Sequence, residues 1–351
     1  MKKNYGIELL RIVSMLYILL LHCYGQGGIL ETVIEGSLQY KVSWLIETFL
    51  FCGVNIFGLI SGYVYYTNEK KEIKTSNYLK IWLEVVFWGL LIVSVFSILK
   101  PSIVTKNDFL IVLFPVTNGL YWYITAYTGL FIFIPLINDG IRNIDNKILI
   151  KLFYIIIIAF SLFDSITSRF VLNSGYSFAW LLVLYVLGAI IKKCNIGSKM
   201  NIKTGVFLIT VLTIISFLYK IYGAEVDVLS RFIIKKDFLI SYTSPTILII
   251  AIIYIVLFSR INIDDKKGKI IYFFSSSTFA WYIINVNFVI WNNYNRFAFN
   301  NIANSSIIKI VLYPLIVSIA YAAIITIVDK FRKIIFDKIG VNKLISKVPN
   351  L

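Results

Sequence analysis

The sequence is poor in charged residues and contains a single histidine. Only 15% of its 351 residues are charged, whereas globular proteins carry about 25%. Hydrophobic residues make up 59% of the chain, and this excess excludes a soluble domain of this size. The three cysteines have no metal-binding or redox spacing, and the sequence has no Walker motif, no GxGxxG motif and no metal-ligand cluster. We therefore expect neither a metal nor a bound cofactor.

What the chain does have is long apolar stretches separated by short charged ones. Several of these stretches approach the roughly 20 residues that cross the hydrocarbon of a bilayer. The pattern predicts an all-α fold, a polytopic transmembrane helix bundle of about ten spans. The predicted spans lie near 6–24, 42–66, 78–99, 119–138, 148–164, 177–191, 204–221, 240–258, 270–290 and 307–328. We expect one membrane domain over residues 1–330 and a basic cytoplasmic tail over 331–351.

The distribution of basic residues predicts how the chain is oriented. If the N-terminus is cytoplasmic, 23 of the 34 Lys and Arg residues fall in inner segments, and ten fall in outer segments or at outer helix ends. Basic residues are enriched in cytoplasmic loops, so we expect both termini to be cytoplasmic. The net charge of +16 then reflects loops that face anionic membrane lipid, and we expect no nucleic-acid partner.

The first predicted span carries three polar side chains on one helix face. Arg11 and His22 are eleven residues apart, which corresponds to three turns plus roughly 20° and to roughly 16 Å along the axis. Glu8 lies one turn before Arg11 and can pair with it. A cation within a spanning helix usually faces the protein interior or a wet cavity, and an imidazole can exchange protons near neutral pH. We expect Arg11 toward the cytoplasm and His22 toward the outer surface.

The second predicted span adds a carboxylate and an amide. Because the first two spans run antiparallel, Glu47 falls at a depth similar to that of His22. A carboxylate that is hydrogen-bonded to an imidazole fixes its tautomer, so we predict that Glu47 orients His22. The alternative is a solvated carboxylate at the membrane interface. Asn55 lies near the middle of the membrane, and nearby glycines such as Gly62 permit close helix packing.

Four short blocks of polar and aromatic residues recur along the predicted spans. In order, they are Glu8–Arg11 followed by ten residues and His22, Val54–Tyr63 ending in Ser-Gly-aromatic, Tyr121–Tyr123 with its Trp-Tyr pair, and Ser275–Asn285. Together these blocks resemble the acyltransferase-3 family of integral membrane O-acyltransferases. Each block is weak alone, but their order and spacing in a chain of about ten spans are fairly specific.

Two positions depart from the family pattern. The last block usually ends in histidine, where this chain has Asn285, and asparagine cannot shuttle a proton. The family usually carries a basic pair of arginines beside the third span, where this chain has Asn77 and Lys80. Lysine offers a point charge instead of a guanidinium fork. If the family's second histidine has an acid–base role, His22 acts alone here.

The resemblance implies an enzyme of the bacterial cell membrane that moves an acetyl group from cytoplasmic acetyl-CoA to a hydroxyl. The acceptor would be a cell-surface polysaccharide or its lipid-linked precursor, with His22 as general base. The polyanionic donor would dock against Arg11, Lys74 and Lys80, and a covalent acetyl-histidine intermediate stays open as a variant. Supporting roles are expected for Glu8, Asn55, Ser61, Tyr123 and Asn285.

Two other hypotheses stay open at this point. Intramembrane charges also suit a translocation path, so a non-enzymatic transporter or flippase of a lipid-linked glycan is the alternative from another functional class. The departures at Asn77 and Asn285 also fit a family member without activity. Loss of O-acetyl groups alone would favour the enzyme, and loss of the whole surface glycan would favour the flippase.

Overall fold

The computed structural model describes residues 3–69, 72–167, 169–223 and 238–350, and in these ranges the chain forms helices and turns without any strand. The predicted all-α fold is confirmed. The helices are α1 (Tyr5–Tyr24), α2 (Ile29–Thr32), α3 (Leu38–Leu50), α4 (Gly53–Tyr65), α5 (Thr75–Leu99), α6 (Lys106–Leu113), α7 (Trp122–Asn143), α8 (Asn146–Ile157), α9 (Asp164–Thr167), α10 (Phe178–Cys194), α11 (Ile202–Tyr222), α12 (Pro245–Phe258), α13 (Asp265–Ser275), α14 (Thr278–Asn285), α15 (Phe288–Ile290), α16 (Ile307–Ile339) and α17 (Val341–Ile345).

The long helices identify a multi-pass membrane protein. Within the described residues, seven helical stretches are long and apolar enough to cross a bilayer. An eighth is present if the bent pair Asp265–Asn285 and Phe288–Ile302 counts as one span. The two remaining predicted spans correspond to α10 and α12, which have 17 and 14 residues. The count of ten spans and the orientation of the termini remain predictions.

The last long helix, α16, extends to Ile339, beyond the predicted span of 307–328. Residue 330, where we placed the boundary between domain and tail, lies inside the continuous helix α16. Arg332 is only 6% exposed, because its guanidinium pairs with two carboxylates in the bundle. Arg332, the first basic residue after 330, is therefore tied to the bundle, and the division into domain and tail stays a prediction.

Helix α1 occupies the centre of the bundle. It packs against α3, α4, α12, α13, α14 and α16. Helix α4 lies beside it and also packs along α10, where two glycines allow the backbones to approach closely. A Cβ atom at Gly62 would overlap the backbone carbonyl of Tyr185, and one at Gly188 would overlap that of Leu59. The close packing predicted for Gly62 is thus confirmed, and it fixes the position of α4.

A sharp bend interrupts the span that we predicted over 270–290. Helical segments Asp265–Asn285 and Phe288–Ile302 meet at 55°. Asparagine side chains satisfy the backbone groups that the break leaves without helical partners: Asn295 donates to the carbonyl of Asn285 at 2.6 Å, and Asn287 accepts from the amide of Val289 at 3.1 Å. The bend lets residues on both of its sides reach the end of α1.

Candidate active site

The imidazole of His22 is held by residues from both sides of this bend. His22 Nδ1 lies 2.6 Å from the side-chain oxygen of Asn285, and the indole ring of Trp291 lies edge-on with 5.1 Å between ring centroids. An amide oxygen can only accept a hydrogen bond, so Nδ1 is the nitrogen that carries the proton. The other ring nitrogen, Nε2, then carries the lone pair of the neutral imidazole and can accept a proton.

Glu47 does not make the contact that we predicted for it. No hydrogen bond joins Glu47 to His22 among the described residues, and the partner at Nδ1 is Asn285 instead. Glu47 is 7% exposed, and its Oε2 atom has no hydrogen-bond partner within the described part of the chain. The predicted orienting role therefore passes from a charged carboxylate to a neutral amide, which fixes the tautomer without adding charge.

His22 and Glu47 both line a cavity of about 410 Å³, which we call the His22 cavity. Aromatic side chains dominate its walls, and they include Tyr121, Trp122, Tyr123, Tyr176, Tyr242 and Trp291. Gln26 and Asn292 add amide groups. Cavities of this volume, mostly apolar and with a few convergent polar groups, are typical of small-molecule sites.

Arg11 lies at the other end of α1, where the predicted ion pair is present. Its Nη1 atom lies 3.3 Å from Glu8 Oε2, and the same carboxylate oxygen accepts a hydrogen bond of 2.6 Å from Ser275 Oγ. Glu8 is thereby tied to α13, and it fixes one side of the guanidinium. The side chain of Arg11 remains 25% exposed, so part of the guanidinium stays available to a ligand.

Arg11 lines a second cavity, of about 230 Å³, which we call the Arg11 cavity. Ser61, Glu84, Ser275 and Ser276 contribute polar groups to it. Of the described residues, Phe57, Tyr123 and Phe279 line both cavities. The two cavities therefore meet at these three side chains, and α1 runs from one cavity to the other.

The order of these groups along the chain can be compared with known families. The family model described as "Acyltransferase domain" matches residues 4–329, a range that contains both cavities. The chain belongs to the acyltransferase-3 family. No curated protein and no solved structure matches the chain. The resemblance stated above is confirmed, and the protein is a membrane acyltransferase.

The two lysines that we expected to bind the donor together with Arg11 are exposed at the surface of this acyltransferase. Lys74 precedes α5 and Lys80 lies in its second turn, and both side chains are exposed. Neither is among the described residues that line the Arg11 cavity. Their sequence position next to the third span is correct, but the helix directs them to the surface. Arg11 and the two lysines therefore do not line one cavity in the described part of the chain.

A buried charge cluster lies near the Arg11 cavity instead. Arg332 contacts Glu84 at 3.1 Å and Asp329 at 2.6 Å. Lys333 lies 2.9 Å from Asp329 and donates to the backbone carbonyl of Ser276 at 2.6 Å. Glu84, on α5, thus pairs with Arg332 on α16. The cluster ties α16 to α5 and to the junction between α13 and α14.

The remaining supporting residues take different positions. Asn55 is fully buried; it donates to the carbonyl of Tyr242 at 2.7 Å and accepts from the indole of Trp180 at 3.0 Å. It therefore holds a wall of the His22 cavity without facing the cavity itself. Ser61 lines the Arg11 cavity, and its hydroxyl donates to the carbonyl of Phe57 at 3.3 Å. Tyr123 lies between the cavities, 8% exposed.

Sequence reasoning did not identify the partners that lie far away in the chain. Trp291 had no signal beyond its aromatic side chain, and Arg332 was counted among the basic residues of a tail. For Asn285 the sequence predicts a supporting role and a departure from the family's histidine, but not a contact with His22. One signal was available: the asparagines Asn285, Asn287 and Asn295 crowd an apolar stretch, and such residues favour helix ends and turns.

Proposed function

We propose that this acyltransferase moves an acetyl group from cytoplasmic acetyl-CoA to a hydroxyl of a cell-surface polysaccharide, or of its lipid-linked precursor, in the bacterial cytoplasmic membrane. The observation that carries the proposal is the pair of adjoining cavities, with Arg11 at one and His22 at the other. A cation and an imidazole thus line two adjoining cavities beside α1.

Arg11 is the group proposed to bind the donor. A guanidinium has five N–H donors in a planar fork that matches phosphate oxygens, and Glu8 takes only part of this capacity. The adenine nucleotide of acetyl-CoA is polyanionic, whereas its pantetheine arm is a narrow chain. The arm is comparable in length to the separation of roughly 16 Å between Arg11 and His22. A donor anchored at Arg11 therefore presents its thioester close to the imidazole.

His22 is proposed to act as general base on the acceptor. The acceptor hydroxyl gives its proton to Nε2 while its oxygen attacks the thioester carbonyl carbon. A C–O bond forms, the C–S bond breaks, and the leaving thiolate of CoA takes the proton from the imidazolium. A positioned base of this kind contributes about 10²–10⁴-fold to the rate. Asn285 supports the role, because its oxygen at Nδ1 keeps Nε2 unprotonated.

The walls of the His22 cavity suit a carbohydrate acceptor. Aromatic faces such as those of Trp122 and Tyr176 stack on the apolar faces of sugar rings. Glu47 Oε2, which lacks a hydrogen-bond partner in the described part of the chain, can accept a hydrogen bond from a sugar hydroxyl. Burying a polar atom without a partner is costly, so a ligand hydroxyl at this position would be stabilising.

The proposal is tested with the purified full-length protein in liposomes. Radiolabelled acetyl-CoA is supplied together with envelope glycan of the source organism from which mild base has removed existing esters. We expect protein-dependent transfer of base-labile label to the glycan. Failure to label the glycan, with protein that is monodisperse and folded, would refute the acetyltransferase.

A gene deletion tests in cells whether the protein acetylates the glycan. The transferase and the flippase alternative predict different results for this experiment. A deletion strain that keeps its surface glycan but loses the O-acetyl signals in glycan NMR supports the transferase. A strain that loses the surface glycan as a whole supports the flippase. Reporter fusions at the C-terminus test the predicted cytoplasmic orientation, on which the assignment of acetyl-CoA to the Arg11 end depends.

A further inference from the structure

Three aromatic side chains separate the two cavities, and each comes from a different helix. Phe57 lies on α4, Tyr123 on α7 and Phe279 on α14. Phe57 and Tyr123 are in edge contact, with 5.8 Å between ring centroids and 71° between ring planes. Each of the three lines both the His22 cavity and the Arg11 cavity. We call these residues the aromatic constriction.

The three rings are buried to the extent expected for side chains that lie between two cavities. Tyr123 is 8% exposed, whereas Phe57 and Phe279 are only partly buried although they lie inside the bundle. Both rings line the two cavities, so part of each ring borders open space instead of a packed side chain. Rings that are not packed on every side can change rotamer at lower cost than rings in a close-packed core.

We propose that the aromatic constriction selects the acyl group of the donor by its width. The inference rests on the proposed function, in which the acyl group passes from the Arg11 end to His22. An acyl group enters ahead of the pantetheine arm and must pass Phe57, Tyr123 and Phe279 first. A linear acyl chain has about the same cross-section as the unbranched cysteamine and β-alanine portion of the arm that follows it, but a branched chain is wider.

We expect the constriction to discriminate acyl groups by their width and not by their length, because a longer acyl chain meets no comparable barrier beyond it. The His22 cavity beyond the constriction has a volume of about 410 Å³, which leaves room for several methylene groups beside an acceptor. A single methyl group in a tight apolar site changes specificity by about 10–200-fold. A methyl branch that must pass the constriction is therefore expected to have an effect in this range.

The test uses two donors of the same composition, valeryl-CoA and isovaleryl-CoA, which differ only in branching. The full-length protein in liposomes is assayed with the de-esterified glycan, and kcat/KM is measured for each donor. We expect the wild type to prefer the linear donor by about tenfold or more. Phe57→Ala and Phe279→Ala remove ring atoms from the constriction, so this preference should fall about tenfold. Comparing ratios cancels the intrinsic effect of branching on thioester reactivity.

A matched variant controls for the loss of ring atoms from the His22 cavity alone. Phe51→Ala removes the same number of atoms from a ring that lines the His22 cavity but is not among the described residues of the Arg11 cavity. It should change the rates with both donors equally and leave their ratio as in the wild type. If an alanine variant does not fold, Phe57→Leu and Phe279→Leu should shift the ratio in the same direction by a smaller factor.

The outcomes separate the two proposals. A wild type that transfers acetyl groups but uses valeryl-CoA and isovaleryl-CoA equally would overturn the width filter and leave the transferase intact. An unchanged ratio in the folded Phe57 and Phe279 variants would do the same. A wild type that transfers no acyl group from any of these donors overturns the proposed function, and the filter with it.

Discussion

The two ends of α1 differ in how their polar groups are satisfied. At the His22 end, the imidazole has one neutral amide partner, aromatic rings form most of the wall, and Glu47 Oε2 has no partner in the described part of the chain. At the Arg11 end, the charges are paired. Glu8 contacts Arg11, and Arg332 joins Glu84 to Asp329.

Because of this difference, we expect substitutions at one end of α1 to affect mainly activity and substitutions near the other end to affect mainly stability. Removing one partner of a buried ion pair leaves an uncompensated charge and is strongly destabilising. Removing a neutral group that faces a cavity leaves no such charge. Substitutions at the His22 end are therefore expected to lower transfer while the fold persists. Substitutions in the charge cluster near the Arg11 end are expected to lower stability first.

The largest effect is expected for His22. His22→Ala or His22→Asn should lower acetyl transfer by about 10²–10⁴-fold, the usual contribution of a general base. The melting temperature should stay near that of the wild type, because neither change buries an unpaired charge. Glycan O-acetylation in a strain with normal levels of the variant gives the result. Undiminished acetylation would exclude the base role.

The second prediction concerns the charge cluster. Arg332→Ala leaves Glu84 and Asp329 without their shared partner, so the free energy of unfolding should fall by about 3–5 kcal/mol. Thermal unfolding of the purified protein in detergent measures the change. Lys338→Ala is the control, because Lys338 is an exposed cation on the same helix. Equal melting temperatures for the two variants would contradict the structural role.

A third substitution asks whether Asn285 positions the imidazole. Asn285→Ala removes the acceptor at Nδ1, so kcat should fall by about 10–100-fold, as for other groups that orient a reacting histidine. Asn285→Asp keeps an acceptor at the same position and should retain most of the activity. A purely structural role would instead make the two variants equally unstable, which thermal unfolding would reveal.

A smaller effect is expected at the donor end. Arg11→Lys keeps the charge but loses the planar fork, so KM for acetyl-CoA should rise about tenfold while kcat changes little. Saturation curves for both proteins separate the two constants. A fall in kcat at unchanged KM would place the guanidinium at the reacting atoms and not at the donor's phosphates.

The smallest effect is expected for the exposed lysines. Lys74→Ala and Lys80→Ala should each keep kcat/KM for acetyl-CoA within about twofold of the wild type, since substitutions at such surface positions usually have small effects. Steady-state kinetics at moderate salt is the measurement. If kcat/KM fell as much as in Arg11→Lys, the lysines would also contribute to donor binding. The difference between exposed residues and residues that line a cavity would then be smaller than expected.

Predictions from the sequence succeeded where the relevant geometry is local. The pair of Glu8 and Arg11 follows from a spacing of one helical turn, and it is present at 3.3 Å. The predicted contact between Glu47 and His22 failed, because similar depth does not specify which helix face meets which neighbour. The same limit applies to Lys80, whose position beside the third span is right but whose side chain is exposed.

The sequence by itself determined that the chain is a helical membrane protein with Arg11 and His22 on one helix face, because helix geometry converts residue spacing into direction. Only the tertiary structure decided what these groups contact. Asn285 is 263 residues from His22 along the chain, and it reaches Nδ1 because α14, which ends at Asn285, packs against α1. Such a contact depends on how several helices pack together, and no local pattern records that packing.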